Sequence, residues 1–235
     1  MTAKLVDYYD NTAGAYDQMH SDVSNPEHTT ALVDGWPLIS NLGISSALDV
    51  GCGTGRTLSW LLEHQPGIKL FGIEPSQGLL NIARQNLPGA NVTQGSGESL
   101  PYDDASIDVV MASAIMHHVD DPRQVIDEMF RVSRKAVLIS DHNNYAFGSA
   151  TAQRVRMALK MAGLLSAFAF VRQGFKRQGY SDGDGWWYPY SLLDNYGQIA
   201  SLSKNLFIIP TRRPTGSLGN FVFSQSHLAI VAIKH

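Results

Sequence analysis

Short apolar runs alternate along the chain with segments whose apolar residues recur at helical spacing. Seven of the runs have the length and composition of β-strands: 45–51, 69–75, 91–96, 106–113, 135–143, 205–211 and 227–235. Helical patterns separate most of these runs, and the alternation predicts an α/β fold built on a largely parallel sheet. The run at 91–96 gives the weakest signal of the seven.

Two of the intervening helices have recognisable starts. Ser76 precedes the segment QGLLNIARQN at 77–86, whose apolar residues make one face, and a serine hydroxyl in this place caps a helix. Asp121 and Pro122 form a second start, with the acid as N-cap and the proline in the first turn. The sequence therefore predicts where both helices begin.

Two parts of the chain interrupt the alternation. The residues ahead of the first strand have a helical pattern that Pro37 breaks. Residues 144–204 contain a predicted helix at about 151–172, followed by the glycine- and aromatic-rich stretch 179–195. The pattern predicts a helical segment ahead of the sheet and an insertion before its last two strands.

Composition limits the classes of function. The chain has 235 residues, of which 44% are hydrophobic and 17% charged, so it has enough apolar material for a folded core. Its net charge of −3 argues against a nucleic-acid partner, whose phosphates require a basic face. Cys52 is the single cysteine, the first residues do not resemble a signal peptide, and we expect a cytoplasmic protein.

The segment ALDVGCGTGRTL at 47–58 places three glycines directly after a predicted strand. Glycine permits positive φ and close approach of a ligand, and such a loop lies where open α/β sheets bind ligands. Arg56 stands where the dinucleotide fingerprint needs its last glycine, and no Gly-Lys-Ser/Thr follows, so neither a pyrophosphate cradle nor a P-loop is predicted. Glu74 ends the next strand, where an acid accepts hydrogen bonds from ribose hydroxyls. The pattern predicts a ligand with a ribose and without a pyrophosphate.

Four motifs occur in a characteristic order: DVGCGTG (49–55), Glu74, GESLPYDDASIDVV (97–110) and SAIMHHVDDP (113–122). Over roughly residues 40–143 the chain resembles the class I S-adenosylmethionine-dependent methyltransferases. Within that class it is similar to the small-molecule branch that includes quinone-biosynthesis enzymes. The resemblance implies a Rossmann-like seven-stranded, mostly parallel sheet with helices on both faces and an antiparallel last strand. It also implies S-adenosylmethionine as cofactor and S-adenosylhomocysteine as product.

The resemblance divides the chain into functional parts. We expect a single methyltransferase domain over 1–235. Its predicted parts are a helical cap at 1–42, a cofactor-binding half at 43–143, an insertion that serves as acceptor lid at 144–204, and the final two strands at 205–235.

The resemblance also assigns cofactor contacts. Asp49, Gly51 and Gly53 would line the methionine part, and Glu74 would hold the ribose diol. Ser96 departs from the family, which usually has an acid there, so the adenine contact differs. Tyr16 either closes over the cofactor or only packs. The expected cofactor-binding residues are Tyr16, Asp49, Gly51, Cys52, Gly53, Gly55, Glu74, Pro75, Ser76, Ser96, Gly97, Glu98 and Ser113.

Candidate catalytic residues follow the fourth and fifth strands. A hydroxyl or ammonium acceptor must lose a proton, and histidine titrates in the range that suits a general base. We predict His118 or His142 as the base, with His117 as a further candidate, although one of the adjacent histidines could simply pack. Asp141 would orient His142 or bond the substrate. The cluster also suggests a metal site, but no other ligand lies at a readable spacing, so we predict no metal.

The insertion holds the candidate acceptor site. Four aromatic residues follow SDGDG and would stack a sugar or an aromatic ring, or in part cover the sheet edge: Trp186, Trp187, Tyr188 and Tyr190. Residues 154–177 carry basic side chains around an apolar middle. They are predicted to form a lid over the pocket, with a membrane-surface contact as the alternative.

The predicted function is methyl transfer to a small molecule in biosynthesis. The acceptor that the sequence favours is a hydroxyl oxygen of a sugar or natural-product metabolite. One alternative is C- or N-methylation of a quinone-like or amine acceptor. Another is a non-catalytic regulatory protein that binds S-adenosylmethionine. Arg56 in the fingerprint position disfavours a nicotinamide oxidoreductase, and no feature of the sequence indicates an oligomeric state.

Overall fold

A seven-stranded sheet forms the centre of the computed structural model, which describes residues 2–20, 26–212 and 225–235. The strand order is β3-β2-β1-β4-β5-β9-β8. The strands are β1 Ser46–Val50, β2 Lys69–Glu74, β3 Asn91–Gln94, β4 Ile107–Ser113, β5 Ser133–His142, β8 Ser203–Pro210 and β9 His227–Lys234. All seven runs predicted from the sequence are strands, and the predicted Rossmann-like fold is confirmed.

The order of the strands places the candidate site. β1 pairs in parallel with both β2 and β4, β3 continues the sheet beyond β2, and β5 continues it beyond β4. Successive strands are therefore added toward one edge of the sheet from β1 to β3, and toward the other edge from β4 onward. Ligands of open α/β sheets bind in the crevice at such a switch point, which here lies between β1 and β4. β9 is antiparallel to both of its neighbours, as predicted.

Helices cover both faces of the sheet. The longer ones are α1 Ala3–Thr12, α3 Pro26–Gly35, α4 Arg56–His64, α5 Gln77–Asn86, α6 Pro122–Val132, α7 Ala150–Met161 and α8 Leu165–Arg172; α2 Tyr16–Met19 and α9 Tyr196–Ser201 are short. Because both faces are covered, every position of β1 is buried. Val125 and Met129 of α6 pack on one face, and Leu61 of α4 and Leu80 of α5 pack on the other.

The predicted helix starts are present. The Ser76 hydroxyl accepts a hydrogen bond of 3.2 Å from the backbone N–H of Leu79, which caps α5. Asp121 accepts one of 3.0 Å from Arg123, with Pro122 as the first residue of α6. Both boundaries follow from side-chain chemistry within one turn, which explains why the sequence reveals them.

The insertion differs from its predicted form. The single helix expected at about 151–172 is two helices, α7 and α8, because Gly163 adopts a left-handed conformation with φ of 71° between them. The glycine- and aromatic-rich stretch contains a two-stranded hairpin, β6 Gly179–Ser181 and β7 Gly185–Trp187, which the sequence analysis left unassigned. Its turn holds Asp184.

The residues ahead of the sheet are helical, as the pattern indicated, although 21–25 of the predicted cap lie outside the described residues. Residues 213–224 of the predicted final segment lie outside them as well. The division into cap, cofactor half, insertion and final strands stays a prediction. Among the helices of the described ranges, none combines the length and the apolar character needed to cross a bilayer.

Candidate active site

The glycine loop leaves β1 at the point where the strand order reverses. Gly51, Gly53 and Gly55 have positive φ angles of 71°, 55° and 95°. A Cβ atom on Gly51 would lie only 2.5 Å from the Cγ2 atom of Ile115, which follows β4. The close approach of the loop to the end of β4 therefore requires glycine at this position.

Glu74, the last residue of β2, ties the glycine loop to the neighbouring strand. Its Oε2 atom accepts a hydrogen bond of 2.9 Å from the backbone N–H of Gly53, and its Oε1 atom accepts one of 2.9 Å from Ser76. Burial raises the pKa of Glu74 to about 7, although the two N–H groups favour the charged form. Each carboxylate oxygen keeps a further lone pair, so the group can accept hydrogen bonds from a diol.

Two buried polar atoms beside the loop have no hydrogen-bond partner within the described residues: Oδ1 of Asp49 and Oγ of Ser113. They lie at the ends of β1 and β4 and line a small cavity of about 30 Å³. Burial raises the pKa of Asp49 to about 7. Buried polar groups are normally paired, so these two point to a polar ligand at the loop.

The N-terminal cap lies directly over the loop. The hydroxyl oxygen of Tyr16 is 3.4 Å from the position that a Cβ atom on Gly53 would occupy. Beside it, the Thr54 hydroxyl donates a hydrogen bond of 2.5 Å to Asp17. These contacts place Tyr16 above the glycine loop, and its role toward the cofactor stays a prediction.

A second contact joins the cap to the start of α5. The Oδ1 atom of Asp10 in α1 accepts hydrogen bonds from the Ser76 hydroxyl, at 2.6 Å, and from the backbone N–H of Gly78, at 2.8 Å. The sequence analysis did not single out Asp10, because an acid within a helical pattern carries no motif. Its role is visible only when α1 and α5 are brought together.

The turn after β3 is also close to the loop. Ser96 donates a hydrogen bond to the carboxylate of Glu98. A Cβ atom on Gly97 would lie 2.8 Å from Val50 at the end of β1, so this turn packs tightly on the loop strand. Cys52 is buried, and burial raises the pKa of its thiol, which fits a packing residue and not a nucleophile.

The cofactor-binding residues expected from the sequence therefore gather at one edge of the sheet or in the cap above it. After β1 come Asp49, Gly51, Cys52, Gly53 and Gly55; after β2, Glu74, Pro75 and Ser76; after β3, Ser96, Gly97 and Glu98; at the end of β4, Ser113; and in the cap, Tyr16. Their individual roles toward the cofactor stay predictions.

Six of the eight histidines of the chain line one cavity of about 320 Å³ beside the glycine loop: His20, His28, His117, His118, His142 and His227. This histidine cavity shares Tyr16, Arg56 and Ser113 with the small cavity at the loop. Three of the six were predicted from the sequence. The other three come from the cap and from β9, far along the chain, and no local signal marks them.

His117 lies between two carboxylates. Its Nδ1 atom is 2.7 Å from Oδ1 of Asp141, and its Nε2 atom is 3.3 Å from Oδ2 of Asp184. Burial alone would lower the pKa of His117, but the two carboxylates outweigh it and raise the pKa to about 10. His117 is therefore a cation at neutral pH and is not available to accept a proton.

The carboxylate of Asp141 contacts both His117 and His142. It is fully buried, and its Oδ1 atom also accepts a hydrogen bond of 2.6 Å from the backbone N–H of His142. Its Oδ2 atom accepts one of 2.8 Å from Met116. The sequence analysis expected Asp141 to orient the ring of His142 or to bond the substrate; the structure places it on the ring of His117 instead.

His118 has both ring nitrogens occupied by protein groups. Nδ1 lies 2.9 Å from the backbone carbonyl of Trp186, which can only accept, so this nitrogen carries the proton. Nε2 lies 2.9 Å from the hydroxyl of Tyr9 and 3.4 Å from Asp184. Burial, with the charge of His117, lowers the pKa of His118. His118 is thus anchored as a neutral ring and offers no free nitrogen to an acceptor.

His142 differs from its neighbours. Its ring stacks on that of His117, with centroids 4.1 Å apart and planes inclined by 23°. Burial, with the charge of His117, lowers the pKa of His142 well below its ordinary value, so the ring is neutral at physiological pH. It lines the histidine cavity and also a larger cavity under the insertion. Of the predicted bases, His142 alone combines neutrality with access to both cavities.

Two groups within the cluster have the donor composition of a metal site. They are His117, Asp141 and His142, and His117, His118 and Asp184, each with its donor atoms within 4.8 Å of one another. Apart from the ring of His142, which stacks on His117, the same groups form the ion pairs described above, so the composition alone does not call for an ion. The expectation of a metal-free site stays a prediction.

Residues 48–139, which hold the glycine loop, Glu74, the paired histidines and β5, match the model of a methyltransferase domain family. They form a class I S-adenosylmethionine-dependent methyltransferase domain. The cofactor of the domain is S-adenosylmethionine, as the motifs indicated.

Curated relatives share this domain. The chain is 30% identical over 140 residues to a demethylmenaquinone methyltransferase of Shouchella clausii. The aligned residues make up 56% of this chain and 58% of the relative. The chain is 40% identical over 93 residues to an uncharacterized 37.1 kDa protein in transposon TN4556 of Streptomyces fradiae, covering 38% of this chain and 27% of that one. The chain thus spans less than two thirds of the length of these relatives.

Solved structures share the fold. A methyltransferase from Thermotoga maritima, described as a possible histamine N-methyltransferase, aligns over 98% of this chain and 100% of its own with a TM-score of 0.60 at 18% identity. A methyltransferase from Methanosarcina mazei aligns over 84% of this chain and 97% of its own with a TM-score of 0.58 at 17% identity. At these identities the likeness concerns the fold alone.

The residues at the glycine loop of the methyltransferase domain fit S-adenosylmethionine. The unpartnered oxygens of Asp49 and Ser113 can bond the polar methionine part, and the Glu74 carboxylate can bond the ribose diol. The open space at the loop is about 30 Å³, which is far below the size of ligand cavities. Tyr16 and the cap lie over this space, so a shift of the cap would enlarge it for the cofactor.

A cavity of about 570 Å³ lies on the far side of His142, under the insertion. We call it the acceptor cavity. It is lined by three of the four aromatic residues predicted for the acceptor site, Trp187, Tyr188 and Tyr190. Trp186 lies outside this cavity, with its ring 5.2 Å from that of Tyr180, so the structure gives it a packing place. Within the lining, Tyr190 is buried and its hydroxyl donates a hydrogen bond of 2.9 Å to Asn195.

Several residues of the site were not singled out by the sequence analysis. The acceptor cavity is also lined by Phe147, Arg156, Leu165, Phe168 and Arg172. Asp184 of the SDGDG turn lines both the acceptor and the histidine cavity. The hydrogen bond and charge of His117 hold the pKa of Asp184 well below the ordinary value in spite of burial. Its function depends on how the hairpin docks, which no local pattern encodes.

Proposed function

We propose that the protein transfers the methyl group of S-adenosylmethionine to a hydroxyl oxygen of a small aromatic molecule bound in the acceptor cavity, with His142 as general base. One observation carries this proposal: the neutral ring of His142 stands between the histidine cavity, on the cofactor side, and the acceptor cavity. A base must reach the proton of the acceptor, and His142 is placed to do so.

The cofactor supplies an activated methyl group on a sulfonium. In the proposed reaction the carbon–sulfur bond breaks as the oxygen–carbon bond forms, and the hydroxyl proton passes to a ring nitrogen of His142. The protein contributes alignment of the two reactants and exclusion of water by the cap and the insertion. His117, fixed as a cation by Asp141 and Asp184, gives the ring of His142 a rigid surface to stack on.

The walls of the acceptor cavity support an acceptor with a flat ring. Trp187, Tyr188, Phe147 and Phe168 supply aromatic surface, and Arg156 and Arg172 supply donors at the side. Such walls also stack the apolar face of a sugar, so the sugar hydroxyl predicted from the sequence belongs in the same acceptor screen. Cytoplasmic location and a role in small-molecule biosynthesis remain expectations from the sequence.

A second candidate is C-methylation of a quinone-like ring. The demethylmenaquinone methyltransferase of Shouchella clausii, 30% identical over 140 residues, favours this reaction. A ring carbon becomes nucleophilic when a ring hydroxyl ionises, so His142 would take the same proton in both reactions. The position of the new methyl group in the product separates the two.

Two measurements test the proposed function. Titration calorimetry with S-adenosylhomocysteine, with NAD as control, establishes the cofactor, and Glu74→Ala should weaken binding by about tenfold or more.

Phenols, quinols and glycosides are then screened for methylation. His142→Ala should lower kcat by about 100-fold and leave the S-adenosylhomocysteine Kd unchanged, whereas the exposed His64→Ala serves as control. Cofactor binding without turnover of any acceptor class would favour the regulatory alternative. Undiminished turnover by His142→Ala would remove His142 as the base.

A further inference from the structure

The segment 150–178, which contains α7 and α8, has an unusual charge composition. It holds six of the 18 basic residues of the chain and none of its 21 acidic residues. Lys160 pairs with Asp194, and Arg177 pairs with Asp120 at 3.2 Å. The other four basic residues have no ion pair within the described residues: Arg154, Arg156, Arg172 and Lys176. In a chain of net charge −3, the segment is a local cationic region.

The same segment exposes an unusual amount of apolar surface. Seven of the 13 large apolar side chains that are exposed among the described residues lie between 155 and 175. Met161 is 84% exposed, Phe175 70%, Val171 58% and Leu164 54%. Neither α7 nor α8 has a buried residue. A concentration of exposed apolar side chains in one segment indicates an interaction site.

The two sides of α8 serve different surroundings. Leu165, Phe168, Ala169 and Arg172, at spacings of three and four residues, line the acceptor cavity. Phe170 and Val171 of α8, and Leu164 just ahead of it, do not line the cavity. They are exposed at the molecular surface, next to Met161 and Phe175. The rings of Phe170 and Phe175 lie 5.8 Å apart in an edge-to-face contact. We define the docking surface as Met161, Leu164, Phe170, Val171 and Phe175 with the basic residues Arg154 and Lys176 beside them.

We propose that the docking surface binds an anionic lipid bilayer, with α7 and α8 lying in the plane of the headgroups. Apolar and aromatic side chains that enter the headgroup region, with basic side chains around them and no acidic ones, are the composition that binds anionic lipid surfaces. Nucleic acid would call for a face dominated by basic side chains that pair with its phosphates, whereas five of the seven residues of the docking surface are apolar.

The acceptor cavity lies beside α8, and this position suggests a route for the acceptor, an inference that rests on the proposed function. Because one side of α8 lines the cavity and the other belongs to the docking surface, an acceptor that dissolves in the bilayer would enter the cavity beside this helix. The docking surface itself needs neither the cofactor nor turnover, so it is tested separately from catalysis.

Vesicle sedimentation with the full chain is the test. The probes are vesicles of phosphatidylcholine alone and of phosphatidylcholine mixed with phosphatidylglycerol. The wild-type protein should bind the mixed vesicles, and binding should weaken with added salt. The apolar variant Phe170→Ser/Phe175→Ser and the charge variant Arg154→Gln/Lys176→Gln should each lower the partition coefficient by about tenfold or more. These four residues lie outside the acceptor cavity, so S-adenosylhomocysteine binding should be unchanged.

Matched controls are available on other surfaces. Val33→Ser/Leu62→Ser removes two apolar side chains that are 51% and 57% exposed, and Lys69→Gln/Lys204→Gln removes two exposed charges. Both controls should bind vesicles like the wild type. Absence of wild-type binding to mixed vesicles would overturn the proposal, as would equal losses in the controls. A dimer in sedimentation velocity that Phe170→Ser/Phe175→Ser converts to a monomer, without vesicle binding, would assign the surface to a second copy of the chain and overturn it too.

Discussion

Asp184, in the turn of the β6–β7 hairpin, lies with its Oδ2 atom 3.3 Å from the Nε2 atom of His117, which follows β4. This ion pair joins the insertion to the carboxyl edge of the sheet. It also supplies the second of the two negative charges that keep His117 protonated, with a pKa raised to about 10. The hairpin therefore takes part in the electrostatics of the site as well as in covering it.

Asp184→Asn tests this relationship. The amide keeps the shape of the side chain but removes its charge, so the pKa of His117 should fall toward its ordinary value and turnover should drop by about tenfold. Histidine NMR titration measures the pKa, and kcat/KM measures turnover. Asp182→Asn, in the same turn but exposed, is the matched control and should change neither. An unchanged His117 titration in Asp184→Asn would show that Asp141 alone holds the proton.

Gly51→Ala should destabilise the fold through a steric clash. The new Cβ atom would lie 2.5 Å from Cγ2 of Ile115 at a φ of 71°, and we expect a loss of about 1–3 kcal/mol in the free energy of unfolding. Gly67→Ala is the control, since Gly67 has a similar φ of 91° but nothing within 4 Å of the new Cβ atom. It should cost only about 1 kcal/mol, from backbone strain. Denaturant unfolding measures both, and equal losses would mean that Ile115 moves aside freely.

The sequence predicted those features that local chemistry encodes. The seven strands, the Ser76 cap and the proline start of α6 each depend on a few consecutive residues, and all are present. The break at Gly163 was missed because a lone glycine inside an apolar pattern is compatible with a continuous helix. At the site, the motif residues lie along one edge of the sheet, whereas Asp10, Asp184 and His227 reach it only through the docking of α1, the hairpin and β9. Such contacts between distant segments leave no periodic signal in one sequence.

Binding of S-adenosylhomocysteine should weaken below pH 7. Burial raises the pKa of Asp49 and of Glu74 to about 7 each, and the contacts predicted for both carboxylates with the ligand require their charged form. As the pH falls below these values the native protein takes up protons at the binding groups, so affinity should fall by up to about tenfold per pH unit for each group. Glu74→Gln should flatten this dependence as well as weaken binding at pH 8. Calorimetry from pH 5.5 to 8 measures it, and a Kd independent of pH would contradict the raised pKa values.

The same two carboxylates give a stability prediction of opposite sign. Their native pKa values lie above those of the unfolded chain, so between roughly pH 4 and 7 the native state binds more protons than the unfolded state. In the absence of ligand, their contribution to stability should therefore decline as the pH rises through this window. Glu74→Gln should remove part of the decline in denaturant midpoints, whereas Glu63→Gln, on the exposed side of α4, should not.

Chelator treatment should leave binding and turnover unchanged. Both ring nitrogens of His117 face carboxylates, and those of His118 face the Trp186 carbonyl and the Tyr9 hydroxyl, so these four nitrogens already lie against protein groups. Elemental analysis of the purified protein should find no stoichiometric transition metal. A metal at one equivalent, whose removal abolishes turnover and which Asp184→Asn releases, would contradict the metal-free prediction.

Asp10→Ala should speed the entry of S-adenosylhomocysteine. The cap lies over the glycine loop, where the open space is about 30 Å³, and a shift of the cap would open this space to the ligand. Asp10 holds the cap to α5 through Ser76 and Gly78, and loss of two hydrogen bonds to a charged group should raise the association rate constant by about tenfold. Stopped-flow tryptophan fluorescence measures this rate, with the exposed Asp7→Ala on the same helix as control. An association rate that is the same in all three proteins would mean that the ligand enters by a route that α1 does not close.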